Sequence, residues 1–174
     1  MDHEEQLKRR IRIWLGVFII GLVLSGLTAF PLLAELEIAT RVFGLSATDS
    51  PEHYVGLRHW MLTVREALRD TYGKYPFMAY GTDWLAFAHI VIAIFFIGPF
   101  VQPENNQWVI ASGMIACGLV VLLALICGPI RGIPFYWRLI DCSFGVLGFI
   151  PLWLVWRDMG GLSELLTETD RGET

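Results

Sequence analysis

Residues 108 to 130 read WVIASGMIACGLVVLLALICGPI, a run of 23 residues without Asp, Glu, Lys, Arg or His. At a rise of about 1.5 Å per residue, a helix of this length extends about 35 Å, which is enough to cross the hydrocarbon core of a bilayer. The run is apolar throughout, whereas a strand of a lipid-exposed barrel alternates polar and apolar residues. This segment therefore predicts a transmembrane helix.

Three further runs have the same character: residues 13–34, 84–101 and 139–156. The second of these is interrupted only by His89, and the last contains Asp141 near its start and Pro151 in its interior. A transmembrane helix tolerates such a proline because neighbouring groups re-satisfy the carbonyl that it frees. With the run described above, the sequence predicts four transmembrane helices.

The composition of the chain points the same way. Of the 174 residues, 55% are hydrophobic and 17% are charged. Soluble domains are typically about 45–50% apolar, even when glycine is counted, and about 25% charged. The formal net charge of -4 is weak and negative, which argues against nucleic acid as a partner because phosphate backbones attract basic proteins. We therefore expect a lipid bilayer to surround the protein.

The long connection between the first two runs predicts a further helix. Asp49 or Ser50 is suited to cap it, with Pro51 in its first turn. An apolar stripe follows in steps of three and four residues, and it consists of Tyr54, Leu57, Met61, Val64 and Leu68. Charged residues lie off this stripe: Arg58, Arg65, Glu66 and Arg69. We expect an amphipathic helix over residues 51–72, which caps the bundle with its apolar face or lies on the bilayer surface.

These segments predict an all-α integral membrane protein, a four-transmembrane-helix bundle with an extramembrane amphipathic helix between helices one and two. We expect residues 1–157 to form a single domain. The short connections at 101–107 and 131–137 predict that helices two, three and four are antiparallel neighbours. Beyond Arg157 the chain passes two glycines into polar sequence, so we expect residues 158–174 to be a flexible tail.

Basic residues indicate the orientation. Lys8, Arg9, Arg10 and Arg12 precede the first predicted helix, and Arg157 follows the last. Because Lys and Arg favour the cytoplasmic side, we expect both termini in the cytoplasm and residues 44–80 outside, as in a multi-pass protein of a bacterial inner membrane. The expected partners are the lipid bilayer and either another membrane protein or a second copy of the chain.

Small residues recur at helical spacing on the predicted spans. They are Gly21, Ser25 and Thr28 on helix one, Thr82, Ala86 and Ala93 on helix two, Gly113, Cys117, Ala124 and Gly128 on helix three, and Gly145 and Gly148 on helix four. Small side chains allow helices to approach closely, and in lipid this close contact drives their association. We therefore expect these faces to be helix contacts.

Ionisable residues of the predicted spans gather at one end of each helix. They are Glu35, Asp83, His89, Arg131, Arg138 and Asp141. Antiparallel threading places all six at the same membrane face, and charges at such positions usually face the bundle interior and pair. Arg138 and Asp141 are three residues apart and are expected to pair, whereas Asp83 and Arg131 also fit the simpler role of interface anchors. The sequence thus predicts a polar pocket, formed by these residues, that binds a ligand or partner.

The histidines leave cofactor binding open. His89 lies within a span, and with His59 on the insert helix it would supply the two axial ligands of haem b. A quinone pocket around His89 is a second cofactor alternative. No two of His53, His59 and His89 have a usual metal-ligand spacing on one helix, and the HExxH pattern is absent. The sequence therefore predicts no metal site and implies no cofactor firmly.

A non-catalytic role is the expectation that these residues support best. An intramembrane lipid-modifying enzyme using His89, Arg138 and Asp141 is an alternative, but it would need a nucleophile or a signature spacing. A channel or transporter would need a continuous polar path through the membrane. We therefore expect an accessory or assembly protein that binds a membrane partner or lipid through the polar pocket, with no catalytic residue.

Overall fold

A computed structural model of the chain describes residues 3–172, with side chains described for residues 3–168. Its α-helices are α1 (His3–Ala29), α2 (Leu32–Val42), α3 (Gly56–Lys74), α4 (Tyr80–Phe95), α5 (Ile97–Val101), α6 (Gln107–Ile130) and α7 (Phe135–Gly172). Short 3-10 helices occur at Pro51–His53, Pro76–Ala79 and Pro103–Asn105. Residues 3–172 contain no β-strand, so the all-helical class is confirmed for this part of the chain.

Four helical stretches are long and apolar enough to cross a membrane. Within the described residues they are His3–Ala29, Pro76–Val101, Gln107–Ile130 and Phe135–Glu168. Their number and order confirm the prediction from the sequence. The first ends at Ala29 and not at residue 34, because Pro31 has no N–H to donate and the chain restarts there as α2.

The helix α7 is longer than the sequence indicated. It passes residue 156 and the two glycines and continues to Gly172, where a flexible tail over 158–174 was expected. Met159 and Leu162 are 3% and 1% exposed, and both belong to the hydrophobic core. Burial of these side chains offsets the entropy lost when the backbone is ordered. Residues 173–174 of the expected tail lie outside the described part of the chain.

The contacts of the chain divide it into two compact units, where the sequence predicted one domain over residues 1–157. The first unit consists of Met1–Leu22 and Val91–Thr174, and the second is Val23–Ile90. The second unit contains α2 and α3, which pack on each other. A buried arginine on α3, described below, ties the loop after α2 to that helix.

The first unit is built on the antiparallel pair α6 and α7. A Cβ added at Gly113 would lie 2.9 Å from Leu152 Cδ1, and one added at Gly145 would lie 2.5 Å from the carbonyl oxygen of Cys117. These contacts confirm that the small-residue faces of the two helices meet. The core between them and α1 contains Leu7, Ile11, Leu15, Phe96, Ile110, Cys117, Leu152, Val155, Met159 and Leu162.

In the second unit, the end of α1 packs against α4 through a different glycine from the one expected. A Cβ added at Gly26 would lie 2.9 Å from the carbonyl oxygen of Ala86. Gly21, one of the three small residues predicted on this helix, belongs to the first unit and has no atom within 4 Å of such a Cβ. Several small residues occur along α1, and only the placement of α4 selects the face that is used.

The insert helix α3 begins later than predicted. The chain forms the 3-10 helix Pro51–His53, then an extended residue at Tyr54, and α3 starts at Gly56. Neither Asp49 nor Ser50 therefore caps it; the residue preceding α3 is Val55, which makes no side-chain capping bond. Met61 of the predicted apolar stripe is buried.

Candidate functional site

Arg138 is held in the first turn of α7 by the preceding helix. The turn between α6 and α7 contains Gly132 with a φ of +70°, a conformation that glycine adopts without a Cβ clash. The aliphatic part of Arg138 lies on the backbone of Gly128, where a Cβ would be 2.8 Å from Arg138 Cγ. The guanidinium carbon lies 5.2 Å from the centroid of the Phe135 ring, a cation–π distance.

The polar atoms of Arg138 have no protein acceptor among the described side chains. Its Nε is buried without a hydrogen bond. Asp141 is partly buried one turn further along α7, but residues 3–168 show no ion pair between the two. The expected Arg138–Asp141 pair is therefore not formed. A guanidinium offers five donors in a planar fork.

Arg131 stands at the opposite side of the same turn. Its backbone N–H closes the end of α6 by donating to the carbonyl oxygens of Cys127 and Gly128, at 3.0 and 3.2 Å. Its side chain is exposed. This placement fits the interface-anchor interpretation of Arg131.

His89 lies on α4 beside the close approach of α1. Its Nδ1 is 2.8 Å from the carbonyl oxygen of Leu85, one turn earlier, and its Cβ would lie 3.1 Å from a Cβ added at Gly26. Because a carbonyl only accepts, Nδ1 is the donor of this bond, and Nε2 is the acceptor nitrogen of the neutral ring. His89 is therefore oriented as a ligand or hydrogen-bond acceptor through Nε2.

Glu35 and Asp83 each lie in the first turn of a helix, α2 and α4 respectively. A carboxylate in this position is stabilised by the partial positive charge of the helix N-terminus. Both residues belong to the second compact unit with His89, whereas Arg131, Arg138 and Asp141 belong to the first. Their assembly into one pocket stays a prediction.

His59, the second proposed haem ligand, is exposed in the first turn of α3. Its Nδ1 is 2.9 Å from the carbonyl oxygen of Pro51, so Nδ1 is the donor of this bond. No group of three or more His, Cys, Asp or Glu side chains arranged to hold a metal ion occurs among the described residues. Haem and quinone binding stay predictions.

The position of Arg65 differs from the one that the sequence predicts. It was expected to lie off the buried stripe of α3, yet it is 2% exposed. Its Nη1 donates to the carbonyl oxygen of Ser46 at 2.9 Å, and its Nη2 donates to that of Asp49 at 2.8 Å. Arg65 thereby fastens the loop between α2 and α3. No periodicity in the sequence signals this role, because the acceptors are backbone carbonyls.

Asp49 organises the same loop through its carboxylate. It accepts hydrogen bonds from the Ser46 N–H and Oγ, each at 2.8 Å, and from the Tyr54 hydroxyl at 2.9 Å. The bonds from Ser46 lower the pKa of Asp49, and the bond to Asp49 raises the pKa of Tyr54. Asp49 therefore acts as the centre of the turn and not as a helix cap.

A second pair joins the two helices of the insert. Arg69 on α3 donates from Nη2 to Glu37 Oε1 on α2 at 2.7 Å. This bond lowers the pKa of Glu37. Both side chains are partly exposed to solvent, so the pair orients α2 and α3 more than it stabilises them.

The first unit carries a separate set of ion pairs near the start of α1. Asp158 is 3% exposed, and its carboxylate oxygens lie 3.2 Å from Arg10 Nε and 3.1 Å from Arg157 Nη2. Asp158 is about 30 Å along α7 from Arg138, given the rise of a helix. The sequence indicated these arginines only as orientation signals, and it did not indicate that they share a buried carboxylate.

Comparison of the chain with protein-family models, with curated proteins and with solved structures found no match.

Proposed function

We propose that this chain is a non-catalytic, multi-pass accessory or assembly protein of a bacterial inner membrane, which binds an acidic group of a membrane partner at the start of α7. Four helices long and apolar enough to span a bilayer support the location. One observation carries the binding role: the Arg138 guanidinium is held by Gly128 and Phe135 but has no acceptor among the described side chains.

The energetics favour such a partner. A charged side chain within or beside a membrane span is costly unless it is paired, and a buried donor without an acceptor costs about 1–3 kcal/mol. A carboxylate on a partner would accept two parallel hydrogen bonds from the Arg138 fork. The residues that hold the stem of Arg138 are in place before binding, so little conformational entropy would be lost on association.

Photo-crosslinking in membranes tests this proposal. Leu139 follows Arg138 and is 51% exposed, so a photoreactive amino acid at position 139 would sample whatever binds there. We expect a protein adduct that is lost in Arg138→Ala and retained in Arg58→Ala, a matched change at an exposed arginine of α3.

The mass of the adduct distinguishes the alternatives. An adduct of twice the mass of the chain would make the partner a second copy, and a heterologous adduct would support an assembly role. An adduct with lipid alone, or a protein adduct unaffected by Arg138→Ala, would contradict the proposed partner site.

The proposed orientation has its own test. In a variant without Cys117, Cys127 and Cys142, single cysteines are placed at Ala47 and Asn105, which are both exposed. A membrane-impermeant thiol reagent added to intact spheroplasts should label position 47 and spare position 105. Labelling of position 105 alone would show that the chain has the opposite orientation, with both termini outside.

His89 supports a second candidate function, a membrane subunit that binds haem b or a quinone. The bond from Nδ1 to the Leu85 carbonyl leaves Nε2 available, the arrangement that orients a histidine ligand. The optical spectrum of the purified protein tests it. A Soret band that is lost in His89→Ala but retained in His53→Ala would establish haem, and a colourless protein without extractable quinone would dismiss this candidate.

A further inference from the structure

An open cleft of about 790 Å³ lies beside the first turns of α1 in the first compact unit. Two of its lining residues are apolar, Ile13 of α1 and Phe100 of α5. A Cβ added at Gly16 would lie 3.8 Å from Phe100 Cε2, so α1 and α5 are in van der Waals reach. The cleft thus has an apolar side, and the remaining lining residues are charged.

The basic residues of the cleft differ in whether their charge is already balanced. Lys8 Nζ lies 2.7 Å from Glu4 Oε1 and 2.6 Å from Glu104 Oε1, so two carboxylates share it. Arg9 and Arg12 are exposed and form no ion pair with the described side chains. They are three residues apart and therefore share one face of α1.

The two arginines of the lining that form no ion pair favour a ligand with an anionic group. Lys8 and its two carboxylates together carry one negative charge, and the remaining charged lining residues, Arg9, Arg12 and Glu5, together carry one positive charge. Glu5 is the lining carboxylate without an ion pair among the described side chains, and it would oppose a ligand of higher negative charge. A guanidinium binds phosphate oxygens with two parallel hydrogen bonds, which suits a phosphodiester.

The cleft lies where two candidate membrane spans begin or end, which indicates that its ligand is amphiphilic. Ile13 begins the first apolar run of the sequence, and Phe100 lies at the end of the second candidate span. A ligand there would have its charged group beside Arg9 and Arg12 and its apolar part on Ile13 and Phe100. Basic residues at this level, directly beside a membrane span, attract anionic lipid headgroups.

We propose that this cleft binds a singly charged anionic phospholipid, whose phosphodiester lies between Arg9 and Arg12 and whose acyl chain lies on Ile13 and Phe100. The proposal does not depend on Arg138 or on a protein partner. Loss of binding here would therefore leave the crosslinking result at position 139 unchanged.

Lipid titration of the full chain in a neutral detergent tests the site. Dioleoylphosphatidylglycerol and dioleoylphosphatidylcholine are added separately, and bound lipid is counted by native mass spectrometry. We expect the phosphatidylglycerol to bind more tightly. Two arginines at about fivefold each predict that Arg9→Gln/Arg12→Gln weakens its binding by about 25-fold, with phosphatidylcholine binding unchanged. Arg9→Lys/Arg12→Lys, which retains both charges, should keep part of the preference.

Matched controls decide the outcome. Arg41→Gln/Arg58→Gln removes the same charge from two exposed arginines of the insert and should leave the preference intact. Equal binding of the two lipids by the native chain, or equal loss in the control, would overturn the site. Full competition by inorganic phosphate at the lipid's concentration would also overturn it, since a free anion would then explain the binding without an acyl chain.

Discussion

The aliphatic stem of Arg138 lies on the bare backbone of Gly128. A Cβ at position 128 would be 2.8 Å from Arg138 Cγ and closer still to Cδ, distances at which the arginine must move. Because the guanidinium is bonded to this stem, any shift of the stem also redirects the guanidinium, whose Nε is buried without a hydrogen bond. Gly128 therefore controls where the proposed partner site places its charge.

Replacement of Gly128 with alanine should destabilise the protein and weaken the crosslink at position 139. Overpacking of a close contact costs about 1–3 kcal/mol, which outweighs the gain of up to about 1 kcal/mol from alanine in a helix. The melting temperature in detergent measures this. Gly118→Ala on the same helix meets no atom within 4 Å and should be neutral or stabilising. Equal melting temperatures and crosslinks for the two variants would contradict this prediction, because Arg138 would then move aside at no cost.

The contact of Gly145 with α6 should tolerate an added methyl group less well than the contact of Gly128 does. An added Cβ would lie 2.5 Å from the carbonyl oxygen of Cys117, and a backbone atom within a helix cannot rotate away. We expect Gly145→Ala to cost about 1–3 kcal/mol, measured by thermal unfolding in detergent. Gly160→Ala is the control on α7, since nothing lies within 4 Å of it. A Gly145→Ala variant as stable as this control would mean that the helices are further apart.

Arg65→Lys should loosen the loop between α2 and α3. Lysine cannot reproduce the fork that donates to both Ser46 and Asp49, and loss of hydrogen bonds from a charged group costs about 1.5–3 kcal/mol. Hydrogen exchange of residues 45–50 should become faster. Arg58→Lys, at an exposed position of the same helix, should leave the exchange unchanged. Protection that survives Arg65→Lys would contradict the fastening role.

The carboxylate of Asp49 makes the same loop sensitive to acid. Hydrogen bonds from Ser46 lower its pKa, so its contribution to stability is present above the ordinary pKa of aspartate and is lost as the pH falls through the lowered value. Asp49→Asn should therefore be less stable than the native chain at neutral pH, and the difference should shrink in acid.

Melting temperatures across this pH range measure the effect, with Glu52→Gln, a change at an exposed carboxylate, as the control without such a difference. A penalty for Asp49→Asn that stays constant with pH would assign the effect to shape and not to charge.

The sequence alone was sufficient for the number of candidate spans and their order. Long uncharged runs such as residues 108–130 leave few alternatives, because a backbone in lipid must satisfy its own hydrogen bonds as a helix. The small-residue faces of α6 and α7 could also be predicted from the sequence, since helical spacing brings Gly113 and Cys117 to one side of the helix. These features depend on local composition and period.

Only the tertiary structure decided which of the marked residues contact one another. Arg65 is buried because two loop carbonyls reach it, and Met159 and Leu162 extend α7 because a core is there to cover them. Arg138 lies on Gly128 and forms no ion pair with Asp141. Such contacts join residues far apart in the chain or depend on side-chain direction, so no periodicity within one segment encodes them.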